Sequence, residues 1–221
     1  MSLNENILEA RDLAIGYGKC TLLKHLNFCI KKGRTYLIQG ENGCGKSTLI
    51  KTMLDKLPIL KGTMIRSPDT FTDNRYVGYL PQKFINALPH SFTALNLLYY
   101  TVNIHDSPFR WTSHKDRIDT VYQQALSLGI THVLNRPIST LSGGELQMVR
   151  IMQMLINNCY LLIMDEPFNN LDVSYTRRII KMLENVRKKS NLTVIMTTHS
   201  HVDTVLDNMD AVVQISLYHD S

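Results

Sequence analysis

Thr35-Tyr36-Leu37-Ile38-Gln39-Gly40-Glu41-Asn42-Gly43-Cys44-Gly45-Lys46-Ser47 joins a short apolar run to a glycine-rich loop, and an apolar-periodic stretch follows to residue 54. Residues 40–47 fit G-x-x-x-x-G-K-[ST], in which backbone N–H groups wrap phosphate, the lysine reaches outward and the hydroxyl serves a cation. Strand (35–39), loop and helix (46–54) follow in the order that gives such a match its weight. That order predicts an α/β fold built on a mainly parallel sheet. Within it, Asn42, Gly43, Cys44, Gly45, Lys46, Ser47 and Thr48 are expected to surround a β-phosphate. Lys46 would reach the β- and γ-phosphates and Ser47 would ligate Mg2+.

Further groups collect at the ends of later strands. An apolar strand at 160–164 runs into Asp165 and Glu166. Taken alone, two acids after a strand are most often the start of a solvated loop. Behind a phosphate loop, Asp165 is expected to hold Mg2+ directly or through water, and Glu166 to polarise the attacking water as general base. His199 follows a strand at 193–198, and Gln82 follows a strand at 76–80. Both then lie at the sheet end where nucleotide sites form, and the Gln82 amide suits orienting water or Mg2+. Tyr17, in Gly16-Tyr17-Gly18, offers a ring for stacking on adenine.

Leu141-Ser142-Gly143-Gly144-Glu145-Leu146-Gln147 opens an apolar helix expected over 144–157. A helix start presents unpaired N–H groups and the positive end of the helix dipole, so Ser142, Gly143 and Gly144 form a second anion cradle. No second lysine or Mg2+ ligand accompanies it. The reading is a half-site lent to a neighbour's nucleotide.

With 221 residues, 44% hydrophobic and 19% charged, the chain has the composition of an ordinary globular domain. No run approaches the roughly 18 apolar residues that span a bilayer, and the first residues lack signal-peptide character. A cytoplasmic location is expected, with any membrane role coming through a partner. The formal charge of +5 is spread over short groups such as Lys31-Lys32 and Arg187-Lys188-Lys189, which reads as solvated faces rather than a nucleic-acid footprint. Four cysteines lack metal spacing, so reduced thiols are expected, with Cys44 open to modification in its loop. Strands are expected at 7–13 and 26–30. A helix is expected at 92–102, and Ile118, Val121, Tyr122, Ala125 and Leu126 follow helical spacing with Gly129 as stop. A helix over 174–189, another over 201–209 and a strand over 211–215 complete the chain.

In this order Tyr17, residues 40–48, Gln82, residues 141–147, residues 161–166, Asn170-Leu171-Asp172 and His199 resemble the nucleotide-binding subunit of ATP-binding cassette (ABC) transporters, over nearly the whole chain. The resemblance implies one ABC ATPase domain over 1–221 with a P-loop NTPase (RecA-like) core. Residues 1–86 and 159–221 would form that core with an N-terminal antiparallel β subdomain, and 87–158 an inserted α-helical subdomain. It implies a Mg2+-dependent ATPase working as a head-to-tail homodimer, or a heterodimer with a related ATPase, that closes two ATP molecules into its interface. Asp172 would cross that interface and His199 would meet the γ-phosphate. The helical insertion, entered through Gln82, would dock on an integral membrane permease at the inner face of the cell membrane, and a solute-binding protein could complete the complex. Met148 and Gln153 stand where arginines are usual in this family. The stretches Arg136-Pro137-Ile138-Ser139-Thr140 and Leu88-Pro89-His90-Ser91-Phe92-Thr93 resemble ATPases of transition-metal cation importers, while exporters of peptides, lipids or drugs share nearly all the same motifs. The rival reading is a soluble ABC-type ATPase acting on nucleic acid or ribosomes, against which stand a single cassette and an insertion without sustained heptads.

Overall fold

Two apolar stretches near the start of the chain build one long hairpin whose register shifts at several bulges. β1 (Asn6–Tyr17) and β2 (Cys20–Lys31) pair antiparallel, with Tyr17 opposite Cys20 across a two-residue turn in which Gly18 takes φ 56°. Both strands exceed the lengths expected from their apolar runs, because Gly16 lies inside β1 instead of ending it. A Cβ on Gly16 would overlap the Cys20 carbonyl, so the glycine permits this close approach. The computed structural model describes residues 5–71, 77–82, 89, 91–102, 113–198 and 212–216.

β3 (Thr35–Gln39) leaves the hairpin for a second sheet and feeds α1 (Lys46–Met53). β4 (Lys61–Arg66), absent from the reading of the sequence, returns to pair antiparallel with β1 and completes a three-stranded sheet, ordered β2-β1-β4. A single turn, α2 (Pro68–Phe71), follows. β5 (Val77–Leu80) forms one edge of the second sheet. The helical stretch comes next: α3 (Ala94–Thr101), α4 (His114–Leu128) and α5 (Gly143–Leu155). β6 (Leu161–Met164), α6 (Val173–Ser190), β7 (Thr193–Thr198) and β8 (Val212–Ser216) finish the order. The five strands run parallel in the order β5-β6-β7-β3-β8. His199, Tyr76 and the helix expected at 201–209 lie outside the described residues.

Side-chain alternation divides the core between the two sheet faces. Tyr36, Ile38, Leu161, Ile163 and Ile195 face α1 and the antiparallel sheet. Leu37, Leu162, Met164, Val194 and Met196 face α5, α6 and the helical stretch. Each fully buried Leu or Ile contributes about 1.5–3 kcal/mol relative to exposure. The helices of 94–155 therefore share one continuous apolar cluster with a sheet face.

α6 shows how local chemistry sets an element. Asp172 caps its start, and Ile179, Ile180 and Leu183 form a buried stripe. Arg187, Lys188 and Lys189 crowd the negative end of the dipole, and Asn191 closes the helix in a left-handed conformation at φ 54°. α4 ends at Gly129 as expected, at φ 71°. Its buried stripe is narrower than its spacing implies. Val121 and Ala125 are fully buried, whereas Tyr122 and Leu126 are exposed, because α4 touches the core along one edge only.

Candidate nucleotide site

The loop between β3 and α1 turns on two left-handed glycines, Gly43 at φ 82° and Gly45 at φ 107°. A side chain would strain both positions. Beyond Gly43 an added Cβ would meet nothing within 4 Å, so its outer side opens into a cleft. Among the described residues that cleft, of about 570 Å3, is lined by Asn42, Gly43, Gly45, Lys46, Ser47, Thr48, Gln82, Glu166, Asn169 and Asn170. Cys44 takes no part in the lining. Its side chain packs into the core beside Leu49 at 3% exposure, which corrects the expectation of a thiol open to modification.

Lys46 is itself buried, and its Nζ donates to the carbonyls of Gly40 and Glu41, both at 2.8 Å. The same ammonium stands 3.9 Å from Glu166 Oε1. A buried cation is tolerable only when so surrounded. Tyr17 sits at the end of β1 with 48% exposure, and Thr48 Oγ1 donates to its hydroxyl at 3.4 Å. The hairpin thus brings the aromatic ring beside the phosphate loop.

The two acids at the end of β6 are tied by one hydroxyl. Thr197 Oγ1 on β7 donates to Asp165 Oδ1 at 2.7 Å and accepts from the Glu166 backbone N–H at 2.8 Å. Glu166 adopts φ 51°, a left-handed conformation that costs a residue with a side chain about 1–3 kcal/mol and persists only where neighbours hold it. Its Oε2 accepts from Gln82 Nε2 and from Asn169 Nδ2, the latter at 2.6 Å. Gln82 and Glu166, each at the end of a parallel strand, therefore meet. Asn169 and Thr197 were not singled out from the sequence. β7 carries three buried threonines, Thr193, Thr197 and Thr198, so no signal in the sequence marks Thr197 as the one that meets the acids.

Ser47, Asp165 and Gln82 offer hydroxyl, carboxylate and amide oxygens, the hard donors that suit Mg2+. Among the described residues no group of three or more His, Cys, Asp and Glu is placed to hold a metal ion. Such a donor set fits an ion that keeps phosphate oxygens and waters as ligands.

Ser142, Gly143 and Gly144 are absent from the cleft lining and stand at the start of α5. Ser142 Oγ accepts from the Glu145 N–H at 3.2 Å, and Glu145 Oε2 accepts from the Ser142 N–H at 2.8 Å, a reciprocal capping box. These bonds, first among them that from the Ser142 N–H, hold the Glu145 carboxyl below the usual carboxylate range, and Arg136 adds to them. A Cβ on Gly144 would run into the Tyr175 ring, whereas at Gly143 it would find only Leu171, at 3.9 Å. Gly144 is thus required by packing, and Gly143 leaves outward space that the described residues do not fill. Gln147 Nε2 donates to the Pro167 carbonyl at 2.8 Å, fastening α5 to the residue after Glu166. Asp172 accepts from Ser174 Oγ at 2.6 Å and from the Tyr175 N–H at 2.9 Å, bonds that hold its carboxyl low. In this chain its carboxylate caps α6.

Residues 16–169 match the family described as ABC transporter. The chain belongs to that family. Over 201 residues it is 33% identical to the iron(3+)-hydroxamate import ATP-binding protein FhuC of Bacillus subtilis, spanning 88% of this chain and 73% of that protein. It is 29% identical over 211 residues to the zinc import ATP-binding protein ZnuC of Rickettsia conorii, spanning 96% and 83%. The solved structure of cbiO1 from Clostridium perfringens, part of the ABC transporter complex cbiONQ, superposes with a TM-score of 0.79 at 25% identity, covering 98% of this chain and 88% of that one. The chain is an ATP-binding, ATP-hydrolysing subunit that uses ATP with Mg2+ and powers an ABC transporter, and such subunits work with membrane permeases. A soluble ATPase acting on nucleic acid or ribosomes is not favoured. No helix among the described residues is long and apolar enough to cross a membrane.

Proposed function

We propose the following division of labour in the ABC ATPase site. The loop N–H groups of 42–48 cradle the β-phosphate, and Lys46 exchanges its two loop carbonyls for β- and γ-phosphate oxygens. Ser47, Asp165 and Gln82 hold Mg2+, which when bound neutralises phosphate charge. Glu166 takes a proton from water as the water oxygen bonds to the γ-phosphorus and the bridging oxygen departs with ADP. Tyr17 stacks on adenine, and His199 completes the γ-phosphate end. What carries this reading is the convergence of Lys46, Ser47, Gln82 and Glu166 on one cleft.

Two such chains close head to tail, each presenting Ser142, Gly143 and Gly144 to the other's γ-phosphate, with Asp172 at the seam. The open space outside Gly143 supports this assignment. The helical insertion, 87–158, docks on the permease at the inner membrane face. The imported cargo is a metal ion or metal chelate, supplied by a solute-binding protein, in keeping with the similarity to the iron(3+)-hydroxamate importer subunit FhuC and the zinc importer subunit ZnuC.

Glu166→Gln should bind ATP and form a stable pair while turnover drops by about a hundredfold or more. Normal turnover would remove Glu166 from the base role. Cargo is tested by ATP-dependent uptake of zinc or ferric hydroxamate into vesicles carrying the assembled transporter. Uptake of neither would end the cargo reading and leave the ATPase roles standing.

A further inference from the structure

The helix start assigned to a neighbour's γ-phosphate carries a carboxylate of its own. Glu145 is the third residue of α5, is 9% exposed, and sits in the capping box of Ser142. An anion there stabilises the helix but competes electrostatically with any second anion approaching the same N–H groups. This chain supplies a counter-charge. Arg136, from the turn before the helix, donates from Nη1 to Glu145 Oε1 at 2.8 Å and from Nη2 to the Thr140 carbonyl at 2.7 Å. His132 Nε2 stands 3.9 Å from the same Glu145 oxygen, half exposed. Both carboxylate oxygens are thereby engaged, Oε2 by the Ser142 N–H and Oε1 by a guanidinium held in place at its other end.

We propose that Arg136 is a positioning residue that neutralises Glu145, so that the start of α5 stays receptive to the γ-phosphate bound by a second copy of this chain. The proposal rests on the half-site reading of Ser142, Gly143 and Gly144. Without Arg136 the half-site keeps its hydrogen-bond donors but gains an uncompensated negative charge beside them. ATP-driven pairing then weakens, although each chain's own ATP cleft is intact.

The test uses Glu166→Gln as the parent and measures pairing by sedimentation across ATP concentrations. Adding Arg136→Ala should raise the ATP needed for half-maximal pairing by roughly tenfold. Adding Glu145→Gln to that variant removes the stranded charge and should restore pairing towards the parent. Arg136→Lys keeps the charge but loses the planar fork, and should stay near the parent. Unchanged pairing in Arg136→Ala would overturn the proposal. So would a loss that Glu145→Gln fails to rescue or that Arg136→Lys shares, since Arg136 would then only brace the turn. Failure of the Glu166→Gln parent to pair with ATP would instead overturn the half-site reading, and this proposal with it.

Discussion

At the level of single residues, Glu166 is over-determined. Its backbone is left-handed, its N–H is held by Thr197, and one carboxylate oxygen receives amides from both Gln82 and Asn169. Gln82 is also expected to serve Mg2+, which leaves Asn169 as the amide able to keep the carboxylate in place when Gln82 turns away. Asn169→Ala should therefore lower turnover about tenfold with the KM for ATP little changed, measured in the assembled transporter. Equal losses in both constants would point to a damaged cleft. The acids themselves were legible, because an apolar strand running into Asp165-Glu166 is a local pattern. Their partners were not. Thr197 lies 31 residues beyond Glu166 in sequence and becomes its neighbour only through parallel pairing of β6 with β7. Cys44 misled because a loop position says nothing of which way its side chain turns.

Among elements, α5 does the most with the least sequence. Its start was readable from Ser142-Gly143-Gly144 followed by an apolar run, yet the two glycines have different reasons. Gly144 lies against the Tyr175 ring of α6, so Gly144→Ala should cost about 1–3 kcal/mol of stability by overpacking, read from denaturant midpoints. Shrinking Tyr175 should recover part of that loss, and an unchanged midpoint would contradict the packing role. Strand β3, the loop and α1 were recoverable because composition and periodicity agree over consecutive residues. β4 was not, because Lys61-Gly62-Thr63-Met64-Ile65-Arg66 has little apolar signal and is a strand only by pairing with β1. Asp172 shows the same limit at a helix end, where its capping bonds coexist with a role read from motif alone.

For the whole molecule, the sheet separates two covered faces, and the helical stretch shares its apolar cluster with one of them. The helices of 94–155 and the sheet should consequently melt together, as one calorimetric transition that MgATP moves upward. Two resolved transitions would show that the helical stretch is stabilised independently. The same continuity gives α5 a mechanical meaning. It has 13 residues, so it is a strut about 20 Å long. Its first turn faces outward at Ser142, and near its far end Met154 approaches Gly78 of β5, the strand that leads to Gln82. A strut of that stiffness does not absorb a displacement. In the proposed closed pair, a displacement at the start of α5 would pass along this rod towards the strand that leads to Gln82, so force and chemistry would share one path.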